Sequence, residues 1–446
     1  MSLTRTGYFT SDVSTIKKEL TVRATVNSEF GFPPPAFKVF KKGKNGICVP
    51  RYYGEQKLGK AMEDKRPEPK KMNIKFNGKL RDETHQNEAH KKALEAGHGV
   101  LSLPCGYGKT TVSLAIACSL GYRTMIVVHK EFLANQWKER IQQFCPGASI
   151  GVVQQDRKET DCDFVIAMLQ SLSLKEYSFD DFETIGTLIV DECHHICAKV
   201  FSQSLFKLCP KHIYGLSATP FRKDGLTKVL HWFMGPTFFV VERENQRQVE
   251  VFPIEYTCDR YRDPPPCLRN GKLSLTTMIT EIVENRDRNR MLVSLIRKIV
   301  SGESTRQVLV LSDRRFHCEF LHTCFPKSSG LYMGGMKESE LNESSKKRIL
   351  FATFSLAHEG LDIPSLDTVI LVTPKSDIVQ SIGRIMRETH GKKNNPHIYD
   401  ICDQWSILHA MFTKRLRVYK KGGFKLPSSI LPEDVIEPSA GKCLFL

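Results

Sequence analysis

Short apolar runs alternate with amphipathic stretches from about residue 99 onward. The runs are nearly continuous rather than alternating, which is typical of parallel strands that are buried on both faces. Amphipathic stretches such as residues 110–120 and 132–144 separate them and predict helices. The predicted strands form two series, residues 99–103, 124–128, 164–168, 187–190 and 213–216, and then residues 308–311, 348–353, 368–372 and 398–401.

The repeated strand–helix–strand order predicts an α/β protein with two doubly wound parallel-sheet domains. Between the two series, residues 262–267 (RDPPPC) exclude helix interior and central strand, and we expect a linker at residues 242–253. Near the N-terminus, residues 37–49 predict a β-hairpin around a Gly/Asn turn, and residues 57–71 a charged linker. The expected domains are residues 1–77, 78–245 and 246–421, followed by a tail at 422–446.

Positive charge is concentrated near the N-terminus. The 446 residues hold 65 Lys/Arg against 49 Asp/Glu, a net charge of +16, and residues 1–77 alone hold 16 against 7. Such an excess favours binding to phosphate backbones, although an ordinary basic soluble protein would show it too. Residues 1–77 are therefore a candidate accessory surface for nucleic acid.

The apolar content places the chain among intracellular proteins rather than membrane or secreted ones. No apolar stretch approaches the roughly 20 residues of a membrane-spanning helix, and the N-terminus lacks the apolar core of a secretory signal. The 14 cysteines are scattered through predicted strands and helices, which favours reduced thiols. We expect a nuclear or cytoplasmic protein or, for a viral one, a protein of the viral factory or virion, with no membrane partner.

A phosphate-binding loop is predicted between the first strand and the first helix of the first domain. In residues 103–110 (LPCGYGKT), Gly106 and Gly108 let successive N–H groups point at phosphate oxygens. Lys109 can reach the β- and γ-phosphates of a nucleotide, and the Thr110 hydroxyl can ligate Mg²⁺. The strict P-loop pattern has a glycine where this chain has Leu103.

A second metal anchor is predicted on a neighbouring strand. The apolar run at residues 187–190 delivers Asp191 to the carboxyl end of a parallel strand, where ligands of α/β proteins bind. Asp191 would hold Mg²⁺ through its water shell, and Glu192 would orient or deprotonate the attacking water. A strand that merely ends in polar residues is the alternative.

Two His/Cys clusters leave zinc as an alternative. The spacing is too crowded in the first cluster for all four side chains to reach one tetrahedral ion, and helix packing is the commoner explanation for the second. The clusters are Cys193, His194, His195 and Cys197, and then His317, Cys318, His322 and Cys324.

Several short motifs together resemble superfamily 2 helicases. Residues 104–110, 191–194 and 217–219 look like motifs I, II and III of these enzymes. The segments LPCGYGKT, GLSATPFRKDG and QSIGRIMRE resemble the XPB-type branch, including its poxvirus-like and other large-DNA-virus relatives. The resemblance covers about residues 80–420 and implies two RecA-like domains, with ATP and Mg²⁺ bound by the first.

The resemblance also implies a role for individual residues. It places Gln86, Thr111, Gly360 and Asp362 with the nucleotide-binding residues, and His194, Ser217, Thr219 and Gln380 in coupling. It assigns nucleic-acid contacts to His129, Lys130, Gln136, Gln170, Ser171, Gly335 and Thr353.

Two positions depart from the family pattern. Lys223 stands where XPB-type proteins carry the glutamate of an Arg-Glu-Asp triplet, so the unwinding role of that triplet does not carry over. Four residues rather than two separate Arg81 from Gln86, which weakens the inference that the base must be adenine.

Arg384 and Arg387 are candidates for stabilising the transition state. They stand three residues apart in a helical motif that resembles motif VI, so their side chains project from nearly one face. A planar guanidinium can stabilise the charge that spreads over a transferred γ-phosphoryl group. Since both arginines belong to the second domain, hydrolysis would require the two domains to close. Surface ion pairing is the alternative.

These observations predict an ATP-dependent helicase or translocase that acts on DNA in transcription or repair, with protein partners reached through residues 1–77. The alternatives are a duplex or transcription-complex remodeller without processive unwinding, a nucleotide-gated nucleic-acid sensor, and an RNA helicase. At the C-terminus, Cys443 fits a loose prenylation pattern, for which chance is the simpler explanation.

Overall fold

The computed structural model divides the chain into two compact units, Met1–Arg243 and Glu244–Leu446. It describes residues 1–11, 15–25, 34–43, 45–104, 106–218, 221–222, 224–241, 249–269, 271–302, 305–359, 363–376, 378, 381–383 and 394–426. Residues 427–446 of the predicted tail lie outside these ranges, as do residues 242–248 of the predicted linker. The linker prediction is wrong for residues 250–253, which begin a strand of the second unit. No helix in these ranges is long and apolar enough to cross a membrane.

The first unit contains a large central sheet and a small N-terminal sheet. Its strands are β1 (Ser2–Thr4), β2 (Gly7–Thr10), β3 (Thr21–Val22), β4 (Phe37–Lys38), β5 (Lys41–Gly43), β6 (Gly46–Val49), β7 (Glu63–Asp64), β8 (His98–Ser102), β9 (Thr124–Val128), β10 (Ile150–Gln154), β11 (Arg157–Lys158), β12 (Phe164–Met168), β13 (Thr187–Val190), β14 (His212–Ser217) and β15 (Thr237–Val240). Its helices are α1 (Ile16–Glu19), α2 (Arg51–Leu58), α3 (Gln86–Ala96), α4 (Lys109–Leu120), α5 (Glu131–Phe144), α6 (Leu169–Leu174), α7 (Lys199–Ser204) and α8 (Thr227–Met234).

The central sheet has the strand order β11-β10-β12-β9-β13-β14-β8-β15. Every neighbouring pair is parallel except β10 and β11. All residues of β9, β12 and β13 are buried, and alternate residues of β9 and β12 enter the two hydrophobic cores on opposite faces of the sheet. The prediction of parallel strands covered on both faces is confirmed, and the carboxyl ends of β8, β9, β13 and β14 meet at one edge.

The N-terminal residues are firmly attached to the central sheet. Strands β5 and β6 form the predicted hairpin within the order β5-β6-β2-β1-β7. Tyr53 of α2 packs edge-on against Trp232 of α8, with ring centroids 5.4 Å apart. Arg66 Nη1 donates a hydrogen bond to the Pro210 carbonyl at 2.7 Å, and β7 pairs with β1. The prediction of a linker at 57–71 is therefore wrong, because this segment makes fixed contacts within the unit.

The second unit has one six-stranded sheet, all parallel, in the order β16-β21-β20-β17-β19-β18. Its strands are β16 (Glu250–Tyr256), β17 (Val308–Ser312), β18 (Ser329–Tyr332), β19 (Ile349–Thr353), β20 (Thr368–Leu371) and β21 (His397–Asp403). Its helices are α9 (Leu275–Glu284), α10 (Arg286–Gly302), α11 (Arg315–Thr323), α12 (Glu338–Ser345), α13 (Phe354–Glu359) and α14 (Ile407–Lys421). Each unit is thus a RecA-like α/β domain, as the sequence predicts.

Buried ion pairs reinforce the second sheet. Arg288 of α10 forms a bidentate pair with Asp403 at the end of β21, with nitrogen–oxygen distances of 2.7 and 2.8 Å and both side chains fully buried. Arg415 of α14 pairs in the same way with Asp400, at 2.8 Å for each of its two nitrogens. These pairs fasten α10 and α14 to strand β21.

Candidate active site

The loop between β8 and α4 has the conformation that phosphate binding requires. Gly106 and Gly108 adopt φ angles of 89° and 77°, in the left-handed region that residues with a Cβ rarely occupy. A Cβ at Gly108 would also lie 2.5 Å from Nε2 of Gln86, so only glycine fits. Helix α4 begins immediately afterwards at Lys109, and its N-terminal N–H groups lie at the loop.

Gln86, the first residue of α3, hydrogen-bonds to this loop. Its amide is 1% exposed, its Oε1 accepts a hydrogen bond from the Arg81 N–H at 3.1 Å, and its Nε2 donates to the Tyr107 carbonyl at 3.0 Å. The side chain therefore links the start of α3 to the phosphate loop. The spacing of Arg81 and Gln86, which departs from the family pattern, still allows this contact, and the recognition of a base by Gln86 stays a prediction.

The acidic residues follow β13 at the same sheet edge. Asp191 Oδ2 accepts a hydrogen bond from the Trp137 indole at 2.9 Å, and Oδ1 accepts one from the Glu192 N–H at 3.0 Å. Glu192 has a φ of 44°, a strained backbone for a residue with a long side chain. Its Oε1 lies 3.5 Å from the Lys109 ammonium. Lys109, Asp191 and Glu192 thus converge, as the sequence predicts.

The electrostatics of this group favour a bound cation. Burial raises the pKa of Asp191, the adjacent Glu192 raises it further, and Lys109 opposes both. Two neighbouring carboxylates are costly in a desolvated pocket unless positive charge offsets them. Thr110 in the first turn of α4 and Asp191 supply the oxygen ligands that Mg²⁺ prefers. The residues present therefore fit a magnesium ion that a nucleotide phosphate would share.

The zinc alternatives find no support in the geometry. Within the described ranges no group of three His, Cys, Asp or Glu side chains could hold a metal ion. Both ring nitrogens of His317 are engaged, with Ser312 Oγ and Asn289 Oδ1, each at 3.0 Å. His322 Nδ1 lies 2.7 Å from Ser329 Oγ.

His194 connects the acidic group with strand β14. Its Nδ1 lies 3.3 Å from Ser217 Oγ and 3.5 Å from Glu192 Oε2. Burial lowers the pKa of His194 to about 4, so the ring is neutral at physiological pH. Arg222 donates to the His194 carbonyl at 2.6 Å and also pairs with Asp224. Thr219 and Lys223 lie outside the described residues.

The predicted nucleic-acid residues of the first unit flank α5 and α6. His129 is 6% exposed, its ring lies 4.0 Å from that of His195, and its carbonyl accepts from Gln170 Nε2 at 2.7 Å. Ser171 Oγ accepts from the Gln155 N–H at 3.0 Å. Lys130 immediately precedes α5, and Gln136 lies on that helix, half-buried. Their contacts with nucleic acid stay a prediction.

The second unit contributes fewer described candidates. Gly335 is exposed with a φ of 87°, and space is open where a Cβ would stand. Thr353 ends β19, and its hydroxyl lies 3.3 Å from that of Ser355. The remaining predicted residues, Gly360, Asp362, Gln380, Arg384 and Arg387, lie outside the described ranges.

One contact of this site was not predicted from the sequence. Trp137 is not among the site residues predicted from the sequence, yet its indole hydrogen-bonds the Asp191 carboxylate. The sequence contains one weak signal for this contact, a tryptophan on the helix that follows a strand of the site. A buried indole usually has a polar partner for its N–H.

Comparison with known proteins identifies the family. Residues 77–222 match the family model "Type III restriction enzyme, res subunit", and residues 287–389 match "Helicase conserved C-terminal domain". The chain is 33% identical over 426 residues to "Putative ATP-dependent RNA helicase L396" of Acanthamoeba polyphaga mimivirus, covering 90% of this chain and 81% of the relative. It is 29% identical over 383 residues to "Putative helicase 161L" of Invertebrate iridescent virus 6, covering 79% and 83%.

A solved structure shares the fold. The ATP-dependent Type ISP restriction-modification enzyme LlaBIII bound to DNA aligns with a TM-score of 0.54 at 16% identity, over 78% of this chain and 30% of that enzyme. At this identity the likeness shows the fold alone. The two family models and the viral relatives establish that the chain belongs to the superfamily 2 helicases, ATP-hydrolysing enzymes that act on nucleic acid, in a group with relatives in large DNA viruses.

Proposed function

We propose that this helicase is a motor of the XPB-type branch that tracks along DNA and serves transcription or repair. The observation that carries the motor is the convergence of Lys109, Asp191 and Glu192 at the carboxyl edge of the first sheet. Lys109 is the first residue of α4, whose N-terminus a triphosphate would meet.

Each residue then has a defined task in hydrolysis. Lys109 neutralises charge on the terminal phosphates, and Thr110 with Asp191 would hold the magnesium ion. The ion, when bound, would supply further charge neutralisation at the phosphate oxygens. Glu192, 3.5 Å from the Lys109 ammonium, orients the attacking water and accepts its proton. The stabilising role of Arg384 and Arg387 stays a prediction of the sequence.

The contacts of His194 suggest how hydrolysis is coupled to the track. The His194 ring lies between Glu192, which faces the nucleotide, and Ser217, the last residue of β14. Ser217 is the first of the three residues, 217–219, that resemble motif III. A change in charge at the γ-phosphate would therefore alter a short chain of contacts that leads away from the nucleotide.

DNA is the favoured track because of the XPB-type motifs, and the basic character of residues 1–77 favours a phosphate backbone of either nucleic acid. The structural neighbour is described as bound to DNA, whereas the mimivirus relative is named an RNA helicase, which keeps RNA as the second candidate. Described residues of the segment 1–77, such as Tyr53 and Arg66, pack within the first unit, and we propose that this segment adds to the contacts with the nucleic-acid track or receives a protein partner.

The test is ATP hydrolysis with single-stranded DNA, duplex DNA and RNA as separate stimulants, with strand displacement followed in parallel. We expect at least one DNA form to stimulate hydrolysis more than RNA does. Stimulation by RNA alone would contradict the DNA assignment, and absence of any stimulation would contradict the motor. Hydrolysis without strand opening would favour the remodeller.

A further inference from the structure

The indole of Trp137 is placed to control the carboxylate that would hold the metal. Trp137 lies on α5, is 2% exposed, and donates from Nε1 to Asp191 Oδ2 at 2.9 Å. The second oxygen, Oδ1, accepts from the Glu192 N–H at 3.0 Å. Because each oxygen has its own donor, rotation of the carboxylate would break both hydrogen bonds.

A buried indole does not need this partner for the fold to form. Trp405 in the second unit is 1% exposed, stacked on Tyr261 with ring centroids 5.1 Å apart. Within the described residues its Nε1 has no hydrogen-bond partner. The N–H of Trp137, by contrast, donates to a carboxylate of the nucleotide site.

The helix that carries Trp137 begins next to residues that are predicted to contact nucleic acid. The helix begins at Glu131, directly after His129 and Lys130, which are predicted to contact the nucleic-acid strand. Trp137 lies six residues into the same helix, and its ring is enclosed in the core. A rigid helix thus connects the predicted strand-binding end with the Asp191 carboxylate.

We propose that Trp137 is a positioning residue that fixes the orientation of Asp191 for the metal ion and links it to the strand-binding end of α5. Partners that orient a metal ligand typically change metal affinity or activity by 10- to 100-fold when removed. The proposal rests on the proposed function, because it takes Asp191 as the metal carboxylate.

The first experiment compares Trp137→Phe with Trp405→Phe, since both lose the indole and keep an aromatic ring. The measurement is the Mg²⁺ concentration that gives half-maximal nucleic-acid-stimulated ATP hydrolysis. We expect Trp137→Phe to raise it roughly 10-fold or more, and Trp405→Phe to leave it unchanged. An equal midpoint in wild type and Trp137→Phe would overturn the proposal. A wild type without any ATP hydrolysis would instead overturn the proposed function.

A second measurement does not depend on activity or on the folding of a variant. The chain has three tryptophans, so wild-type protein labelled with 5-fluorotryptophan should give three ¹⁹F signals. Adding Mg²⁺ with a non-hydrolysable ATP analogue should shift one signal, and Asp191→Asn should move that signal in the absence of ligand. The Trp405 signal, assigned from Trp405→Phe, should not move in either case. If nucleotide binds and Asp191→Asn is folded but no signal responds, the proposal fails.

Discussion

Both units place opposite charges near the carboxyl ends of parallel strands, but the two sets differ in how closely the charges approach each other. In the second unit, Arg288 donates two hydrogen bonds to Asp403, at 2.7 and 2.8 Å. Tyr261 donates a further hydrogen bond to the same carboxylate at 2.8 Å. In the first unit, Lys109 and Glu192 approach only to 3.5 Å. The ion pair of the second unit is short and doubly hydrogen-bonded, whereas Lys109 and Glu192 of the first unit lie farther apart beside the phosphate loop.

The difference separates charges that stabilise the fold from charges that are placed to bind a substrate. A buried pair offsets its desolvation cost only with close geometry and additional hydrogen bonds, which Asp403 has. Asp191 and Glu192 are adjacent like charges, and burial raises the pKa of Asp191. Such an arrangement is costly without a cation, and this is expected of a site that binds Mg²⁺ with a nucleotide.

The largest effect should follow from breaking the Arg288–Asp403 pair. Asp403→Asn leaves the Arg288 charge buried without its counter-ion, and we expect the free energy of unfolding of the second unit to fall by about 3–5 kcal/mol. Chemical denaturation measures this. The control is Asp287→Asn, which removes an exposed partner of Arg290 and should cost less than about 1 kcal/mol. Equal stability of the two variants would contradict the comparison.

Lys109→Ala should reduce ATP hydrolysis far more than it reduces stability. We expect ATP hydrolysis to fall by at least roughly 10²- to 10³-fold, because charge on the phosphates is no longer stabilised. The free energy of unfolding should fall less than in Asp403→Asn, because Lys109 and Glu192 are partly exposed and lie 3.5 Å apart. The two measurements are steady-state turnover and thermal unfolding. A variant that retains nucleic-acid-stimulated turnover would show that the phosphate loop is wrongly assigned.

A smaller, pH-dependent effect should arise in the second unit. Burial, with a contribution from Arg288, lowers the pKa of His317 to about 3. The unfolded chain binds this proton at about pH 6.5, so stability is full above that pH and is lost as the pH falls. Between pH 6.5 and 4.5 we expect a loss of roughly 2 kcal/mol from this residue. In denaturation curves, His317→Gln should make the free energy of unfolding depend less steeply on pH. The control is His409→Gln, which replaces an exposed histidine. Equally steep pH dependence in the two variants would contradict the assignment.

The smallest effect concerns a single hydrogen bond to the Arg288–Asp403 pair. Tyr261→Phe removes the hydroxyl that donates to Asp403 but keeps the ring stacked on Trp405. We expect a loss of about 1–2 kcal/mol in unfolding free energy, typical of a hydrogen bond to a charged group. No loss would mean that the two nitrogens of Arg288 already satisfy the carboxylate.

The elements that could be predicted from the sequence are the strands whose burial is indicated by nearly continuous apolar runs. Residues 124–128, 164–168 and 187–190 form strands with the predicted bounds because every side chain in them is buried and all but Thr124 and Thr187 are apolar. The convergence of Lys109 and Asp191 was predictable as well, since both follow parallel strands of one sheet.

Contacts between charged side chains and distant backbone could not be predicted. The sequence of residues 57–71 predicts a linker because it is charged and contains proline, yet Arg66 bonds the carbonyl of Pro210, 144 residues away. Likewise Gln86 was assigned to the base, and its bond to the Tyr107 carbonyl depends on how α3 packs beside the loop. Both contacts depend on tertiary placement, which local pattern does not encode.

The assignment of this pocket as the catalytic centre depends most directly on Glu192 as the group that acts on water beside a bound nucleotide. The decisive measurement is single-turnover ATP hydrolysis by Glu192→Gln, with Mg²⁺–ATP binding determined on the same preparation. We predict binding within a few-fold of wild type and hydrolysis slower by roughly 10²-fold or more, as expected when a general base is lost. Hydrolysis at the wild-type rate would contradict the assignment of this pocket as the catalytic centre.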